Sequence, residues 1–255
     1  VIVSTDRADY RAKVVVAADG ATSTVRRKLK LFDTLGVARL LRVMAPADPD
    51  QDPYWQARSV LFDFSCVRQG IPGYSWQFPT YRGDQPYLNL GIMDSRIDPT
   101  HNGHADREHG LLKRTFANWL AERDIHLDQV QLEGYPVRWF NPHATFSWPH
   151  VLLVGDAAGV DPLFAEGISY AMEYGQIAAQ AIHDAFTRDD FSFTDYRSHL
   201  IDHRLGQLLK RRTAIAQSIY NHRLPPFWSL LWWGAARSPR VVQHAIGASM
   251  ALLPE

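Results

Sequence analysis

Two acidic residues follow short apolar runs of the sequence, and both are next to glycine. Asp156 follows Gly155 after the run VLLV, and Asp19 precedes Gly20 after the run VVVAA. Such runs are typical of strands that are buried on both faces, and open α/β sheets bind ligands at the carboxyl ends of their strands. A carboxylate there can accept hydrogen bonds from sugar or ribitol hydroxyls. The pattern therefore predicts one ligand site that contains both carboxylates.

The residues after Asp156 are small, and a helix is predicted to follow them. Ala157, Ala158 and Gly159 leave room for a ligand to lie against the backbone. A helix is predicted from about residue 166 to residue 186, with its free amides and positive dipole end at the same site. An anionic group would be stabilised there by about 0.3–1 kcal/mol, or more when buried. The predicted inner face of this helix consists of Ile168, Ala171, Met172, Gly175, Ala178, Ala179 and Ile182.

The elements that must position these residues come in a mixed order. Residues 1–4 and 10–17 are predicted strands, and Ser23 is the predicted N-cap of a helix between residues 21 and 31. Between residues 35 and 150 apolar and polar residues alternate in short segments, which is typical of an antiparallel sheet. One helix is predicted within that region from the spacing of Leu111, Leu112, Thr115, Phe116, Trp119 and Leu120.

This order predicts an α/β architecture, or α+β when the whole chain is counted. Two pieces of one α/β domain, residues 1–34 and 151–190, flank a β-rich region at 35–150, and a helical region at 191–255 ends the chain. The two apolar strands are alike, so we expect them to lie in one sheet with the β-rich region inserted between them. The alternative for residues 14–26 is an ordinary β-turn capped by Ser23.

Composition excludes several classes of protein. The chain has 255 residues, 46% of them hydrophobic, which is ordinary for a globular protein and excludes disorder. Lys+Arg and Asp+Glu are 27 each, so the overall charge gives no attraction to nucleic acid. One cysteine excludes a disulfide framework and a multi-cysteine metal site, and we predict no bound metal. We find neither a signal peptide nor a transmembrane span, which favours a cytoplasmic location.

Three aromatic residues alternate along one predicted strand. Tyr74, Trp76 and Phe78 would share one face of it, because successive strand side chains point to opposite faces. Three aromatic rings on one face can form the wall of an apolar pocket, or they can simply fill the core. The sequence alone leaves both interpretations open.

Three segments together resemble one family of flavoproteins. ADGATSTVRR at residues 18–27 is similar to the Asp-Gly motif of flavoprotein hydroxylases, and VGDAAGVDPLFAEGI at 154–168 is similar to their Gly-Asp motif. PGYSWQFP at 72–79 resembles the Tyr-x-Trp-x-Phe-Pro motif of geranylgeranyl reductases. The resemblance implies the para-hydroxybenzoate hydroxylase fold, in which this chain is the C-terminal part of a Rossmann-like FAD/NAD(P)-binding domain with an inserted substrate sheet.

The resemblance also implies roles for individual residues. Asp156 would bind the ribitol of FAD, and Asp19 would lie near the diphosphate. The remaining residues expected to bind or support the cofactor are Gly20, Arg26, Gly155, Ala157, Gly159, Pro162, Gly167 and Ile168. Tyr74, Trp76, Phe78 and Pro79 would line the substrate channel.

The implied reaction is the reduction of isoprenoid double bonds. NAD(P)H would reduce FAD, the flavin would deliver hydride to one carbon, and an acid or water would protonate the other. Tyr74 is the one candidate proton donor that the sequence offers. Two alternatives stay open: a monooxygenase or halogenase acting on a small aromatic substrate, and a non-catalytic lipid-binding or partner-binding protein.

The sequence departs from the family pattern at two places. Ala165 stands where many family members have glycine. The Gly-x-Gly-x-x-Gly motif that holds the ADP half of FAD does not occur in these 255 residues, so we expect an N-terminal segment or a second chain to supply it. We accordingly expect the 255-residue chain alone to bind FAD poorly, and flavin absorbance that co-purifies with it would contradict this.

The C-terminal region has two interpretations. Its basic residues lie near leucine and isoleucine, and Trp232 and Trp233 follow them. It can be a helical cover of the catalytic domain, which we favour, or a peripheral contact with a membrane that holds an apolar substrate. The basic residues are Arg204, Lys210, Arg211, Arg212 and Arg223.

Overall fold

The structure is a computed structural model, and it divides into two compact units. It describes residues 1–33, 35–96, 110–221, 230, 233–234, 237–239 and 241. The first unit comprises Val1–Val37 and Val137–Ala216, and the second comprises Ala38–Pro136 and Gln217–Glu255. Residues 137–150 thus group with the α/β unit, although the sequence pattern places the boundary after them. Among the described residues, no helix is both long enough and apolar enough to cross a membrane.

The bounds of the described strands and α-helices follow, with each type numbered in chain order. The strands are β1 (Ile2–Ser4), β2 (Asp9–Arg11), β3 (Val15–Ala17), β4 (Val37–Pro46), β5 (Leu61–Asp63), β6 (Gly73–Arg82), β7 (Gln85–Asp94), β8 (Glu133–Arg138), β9 (Ser147–Trp148) and β10 (Val151–Leu153). The α-helices are α1 (Thr24–Lys28), α2 (Pro53–Gln56), α3 (Leu111–Ala121), α4 (Gly155–Ala158), α5 (Ile168–Arg188), α6 (Tyr196–Asp202) and α7 (Arg204–Asn221).

The first unit contains the two apolar strands of the sequence in one sheet. Strand β10 pairs in parallel with β3 and antiparallel with β9, and Leu153 lies opposite Ala17. This confirms that the two strands are neighbours although more than a hundred residues separate them. Ser23 caps α1, because its hydroxyl accepts a hydrogen bond from the Arg26 amide at 3.0 Å. The predicted strand at residues 10–17 is two strands, because a turn separates β2 from β3.

The second unit is the predicted antiparallel sheet, with strand order β5-β6-β7-β4-β8. Strands β6 and β7 form a hairpin whose turn is Gly83-Asp84. Helix α3 begins and ends close to its predicted bounds and buries Phe116, Trp119 and Leu120. These side chains pack in one core with Leu90 and other apolar residues of the sheet. The α/β fold class with an inserted antiparallel sheet is therefore confirmed.

Helix α5 faces inward along a different stripe from the one predicted. Its buried residues are Tyr170, Glu173, Tyr174, Ile177, Ala178, Ala181 and Ala185. Ile168 and Met172, which the spacing of apolar residues places inside, are 84% and 72% exposed. The two tyrosine rings of the inward stripe, Tyr170 and Tyr174, are fully buried and contribute a large apolar area there. The outward stripe of α5 is consequently apolar, with Ile168, Met172 and Phe186 all exposed.

Candidate functional site

The two acidic residues lie at the same edge of one sheet. The amide of Val154 donates to the carbonyl of Ala17 at 3.1 Å, so β3 and β10 end side by side. Asp19 and Asp156 each follow these ends within three residues. The tertiary structure therefore brings the two motifs to one sheet edge, where the topology of α/β sheets places ligands.

Asp156 has a half-buried carboxylate without a protein donor. Among the described residues, no side chain and no backbone amide donates a hydrogen bond to this carboxylate. Burial raises the pKa of Asp156, and no neighbouring charge in the described part of the chain lowers it again. Gly167 lies beside it, because a Cβ atom placed on that glycine would be 3.0 Å from Asp156 Oδ1. A carboxylate in this state can accept hydrogen bonds from ligand hydroxyls.

Asp19 has a partner within the protein. Its Oδ2 accepts a hydrogen bond from the Val25 amide at 3.0 Å, and it thereby caps α1 together with Ser23. Partial burial raises the pKa of Asp19, but the hydrogen bonds from Ser23 and Val25 outweigh it and the pKa lies below its ordinary value. The carboxylate of Asp19 holds the turn that contains Gly20, whose φ is +81°.

Arg26 connects the two motifs from inside the first unit. It is 2% exposed and forms an ion pair with Asp33. Its Nη1 donates to the carbonyl of Ala157 at 3.4 Å, so the helix after Asp19 contacts the turn after Asp156. Arg26 thus links the two turns in addition to the pairing of β3 with β10.

Arg138 holds the turn that follows β3. Two of its nitrogens donate to the carbonyl of Ala21, at 2.8 and 3.0 Å. Burial, followed by the charge of Arg26, lowers the pKa of Arg138. The turn after β3 is therefore held by Arg138, which is distant from it in the chain.

Gly159 forms the tightest corner of the site. Its φ is +110°, and a Cβ atom there would lie 2.7 Å from the carbonyl oxygen of Trp139. The amide of Phe140 and the hydroxyl of Tyr174 complete the corner: Phe140 donates to the Val160 carbonyl at 3.0 Å, and Tyr174 to the Gly159 carbonyl at 2.8 Å. Only glycine combines this backbone conformation with so close an approach.

These residues fit the FAD that the resemblance implies. Gly167, the last residue of the loop, lies close to Asp156. Among the described residues no side chain caps α5, so the first amides of this long helix are available to a ligand. The unpartnered Asp156 carboxylate supplies acceptors for hydroxyl groups. Of the other residues expected at the cofactor, Ala157 and Pro162 are buried and Ile168 is exposed.

Ala165 has a backbone conformation that favours glycine. Its φ is +56°, in the left-handed region, which costs an alanine about 1–2 kcal/mol. We expect Ala165→Gly to stabilise the chain by about 0.5–1 kcal/mol, since the relieved strain exceeds the added freedom of the unfolded chain. Urea unfolding measures this change, and Ala179→Gly, at an exposed helical position, is the control and should destabilise the chain. A lower stability for Ala165→Gly would contradict the strain.

The aromatic residues of the second unit form a continuous row. Tyr74 and Trp76 are buried, and the ring centroids of Tyr74–Trp76 and Trp76–Phe78 are 6.0 and 6.2 Å apart. Phe62 of β5 joins the row at 5.3 Å from Tyr74 and 5.4 Å from Phe78. The row lies on one face of β6, in agreement with the alternation in the sequence. Ser75 lies on the other face.

Trp76 lies over the neighbouring strand because β7 has a glycine there. Gly91 is the register partner of Trp76, and a Cβ atom on Gly91 would be 2.1 Å from the ring. The ring nitrogen donates to Asn89 Oδ1 at 3.1 Å and fixes the orientation of the ring. Gly91 and Asn89 therefore position Trp76. The sequence motif around Trp76 does not indicate these two residues.

We expect Gly91→Ala to destabilise the second unit by roughly 2–3 kcal/mol, because the methyl group must displace the ring of Trp76. Trp76→Phe should recover most of that loss in the double variant, since the smaller ring leaves space above residue 91. Chemical denaturation of the four chains of this cycle measures the coupling. Additive effects of the two substitutions would contradict the contact.

Comparisons with known proteins find similar chains among the geranylgeranyl reductases. No family model matches the chain. Over 191 residues it is 27% identical to a digeranylgeranylglycerophospholipid reductase of Methanosarcina acetivorans, which is 72% of this chain and 42% of that protein. A geranylgeranyl bacteriochlorophyll reductase-like structure from Thermoplasma acidophilum superposes with a TM-score of 0.64 and 25% identity, covering 83% of this chain and 51% of that one. The resemblance to geranylgeranyl reductases is confirmed. The chain spans about half the length of these proteins.

A third comparison supports the fold alone. A flavin-dependent halogenase superposes with a TM-score of 0.56 at 15% identity, covering 91% of this chain and 44% of that one. The chain thus shares the fold of this halogenase, in agreement with the fold class expected from its two motifs.

Several residues of the site carry no signal in the sequence. Arg138 and Tyr174 donate to the carbonyls of turn residues 117 and 15 positions away in the chain, and Asp33 pairs with Arg26. Arg212, which the sequence places in a basic tail, is buried in the first unit and is not part of a basic surface.

The aromatic end of the C-terminal region is described only in part. Arg223 and Trp232 lie outside the described residues, and Trp233 is 55% exposed. The interpretation of the tail as a membrane contact stays a prediction.

Proposed function

We propose that this chain is part of a flavin-dependent reductase of isoprenoid double bonds. The observation that carries the proposal is the half-buried carboxylate of Asp156, which lacks a described protein donor beside Gly167 and the first turn of α5. Its chemistry suits the hydroxyls of the FAD ribitol. The similarity to a digeranylgeranylglycerophospholipid reductase supports the isoprenoid substrate class.

The residues of the first unit would bind and orient the cofactor. Asp156 would accept hydrogen bonds from the ribitol, and Gly155, Ala157 and Gly159 would let the cofactor approach the backbone. The amides at the start of α5 would stabilise negative charge on the flavin ring. When bound, FAD reduced by NAD(P)H would supply the hydride that the reaction needs.

The row formed by Tyr74, Trp76, Phe78 and Phe62 would bind the isoprenoid chain. An isoprenoid has no polar group over most of its length, so the pocket that selects it must be apolar and shaped. Tyr74 would donate the proton to the second carbon, and Pro79 would support the end of the row. The tyrosine hydroxyl is the titratable group of this row.

The outward surfaces of the first unit fit a further part of the cofactor domain. Ile168 and Met172 leave an apolar stripe exposed on α5, and among the described residues no strand pairs with the second edge of β3. A segment or chain with the Gly-x-Gly-x-x-Gly motif would cover these surfaces and bind the ADP half of FAD.

The proposal is tested on the longer protein that contains this chain together with such a segment. The protein is loaded with FAD, reduced with NADPH under anaerobic conditions and incubated with a geranylgeranylated glycerolipid. Mass spectrometry should find a product that has gained hydrogen across its double bonds. Tyr74→Phe should lower turnover, with FAD content unchanged.

Two other results would overturn the proposal. Product formation only in the presence of oxygen and an aromatic substrate would favour a monooxygenase. A longer protein that binds no FAD, whether or not it binds lipid, would favour the non-catalytic alternative.

A further inference from the structure

A buried ion pair joins α7 to the loop that precedes α5. Arg212 of α7 and Asp161 are 6% and 0% exposed, and Arg212 Nη1 lies 2.5 Å from Asp161 Oδ2. The hydroxyl of the neighbouring Thr213 lies within hydrogen-bond distance of two carbonyls, that of Leu209 in the same helix at 2.8 Å and that of Phe140 at 3.0 Å. Removing two charges from water is costly, so a pair in this position must be well compensated.

The loop from Asp161 to Gly167 depends on the carboxylate of Asp161. That carboxylate accepts hydrogen bonds from the Leu163 amide at 2.9 Å and from the Phe164 amide at 3.3 Å. The Asp161 amide donates to the carbonyl of Glu166 at 3.4 Å, which closes the loop. The guanidinium of Arg212 also lies 4.0 Å from the Glu166 carboxylate and over the ring of Phe164 at 5.9 Å.

The same loop contains the strained residue Ala165. A left-handed alanine persists only where its surroundings fix the backbone on both sides. Here the fixed points are Asp161, through Arg212, and Gly167, which lies against Asp156. The ion pair therefore fixes the start of the loop, and the contact of Gly167 with Asp156 fixes its end.

We propose that Arg212 and Asp161 are positioning residues that hold the loop 161–167, and with it the first amides of α5, in the conformation that receives the flavin. This inference rests on the proposed function for its ligand, but the rigidity of the loop can be tested without FAD. Arg212 acts through Asp161 and need not touch the cofactor.

The test is hydrogen exchange of the 255-residue chain, followed by mass spectrometry of peptides. Arg212→Gln alone leaves a buried charge and can unfold the unit, so the principal variant is Asp161→Asn with Arg212→Gln, a neutral pair of similar shape. Lys210→Gln, at an exposed position of the same helix, is the control. We expect exchange in peptides covering 161–167 to rise about tenfold in the double variant, with β10 and residues 173–185 unchanged. Adding Ala165→Gly should reduce that rise, because glycine relieves the backbone strain that the ion pair otherwise holds in place.

Unchanged exchange at 161–167, or an equal rise throughout the first unit, would overturn the positioning role. The second measurement is FAD affinity of the longer protein, which should fall about tenfold in the neutral pair and not in Lys210→Gln. Faster exchange with unaltered FAD affinity would show that the ion pair holds the loop and would overturn its role in cofactor binding. If no form of the longer protein binds FAD, the proposed function is refuted, and the role of the ion pair in cofactor binding with it. The exchange measurement still decides whether the ion pair holds the loop.

Discussion

Gly159→Ala is expected to destabilise the first unit by roughly 3–5 kcal/mol, a large fraction of the roughly 5–15 kcal/mol by which ordinary proteins are stable. Two effects add. The backbone of Gly159, with φ of +110°, is one that alanine rarely adopts. The new methyl group would also lie 2.7 Å from the Trp139 carbonyl and 3.0 Å from the Phe140 amide nitrogen, and these are backbone atoms that cannot rotate away.

Denaturant unfolding followed by circular dichroism measures this loss. Gly175→Ala is the matched control, because Gly175 lies inside α5 and a Cβ atom added to it would have nothing within 4 Å. That substitution should stabilise the chain by about 0.5–1 kcal/mol through helix propensity. If both variants unfold at the same denaturant concentration, the tight corner at Gly159 does not exist as described.

Asp156→Asn is expected to lower FAD affinity by about 10- to 100-fold, because hydrogen bonds to a charged acceptor are lost. At neutral pH the same variant should make the FAD-free chain slightly more stable, by at most about 1 kcal/mol given the partial exposure of the group. The reason is that ionised Asp156 is half-buried and has no described donor, so it is costly in the absence of its ligand. Opposite signs for binding and stability are typical of functional residues.

The stability difference should depend on pH in one direction. The pKa of Asp156 is raised in the folded state, so the folded state binds the proton more tightly and loses stability as pH rises through that pKa. The asparagine side chain does not titrate, so the variant and the parent should differ by a constant amount below the ordinary aspartate pKa of about 3.9 and diverge above it. Thermal unfolding across this range, with Asp202→Asn at an exposed position as control, decides the matter. An advantage of the variant that is largest in acid would contradict the assignment.

The comparison of α5 with α3 explains which elements could be predicted. In α3 the apolar residues include Phe116, Trp119 and Leu120, all large, and the buried face follows directly from their spacing. In α5 one stripe holds Ile168 and Met172 with several alanines, and another holds Tyr170 and Tyr174, so hydropathy favours a stripe that is exposed in this chain. A pattern of apolar positions does not show which of two apolar stripes packs against the unit.

The sequence by itself determined the parts of this protein that depend on neighbours along the chain. Those parts are the strand–turn–helix corners at Asp19 and Asp156, the Ser23 cap and the alternating aromatic row from Tyr74 to Phe78. Only the tertiary structure decided the partners across the chain: Arg26 with Ala157, Trp76 over Gly91 and Arg212 with Asp161. The physical reason is that turns, caps and alternation are set by local backbone geometry. Buried ion pairs and ring contacts depend instead on which distant segments the packed core brings within a few ångströms.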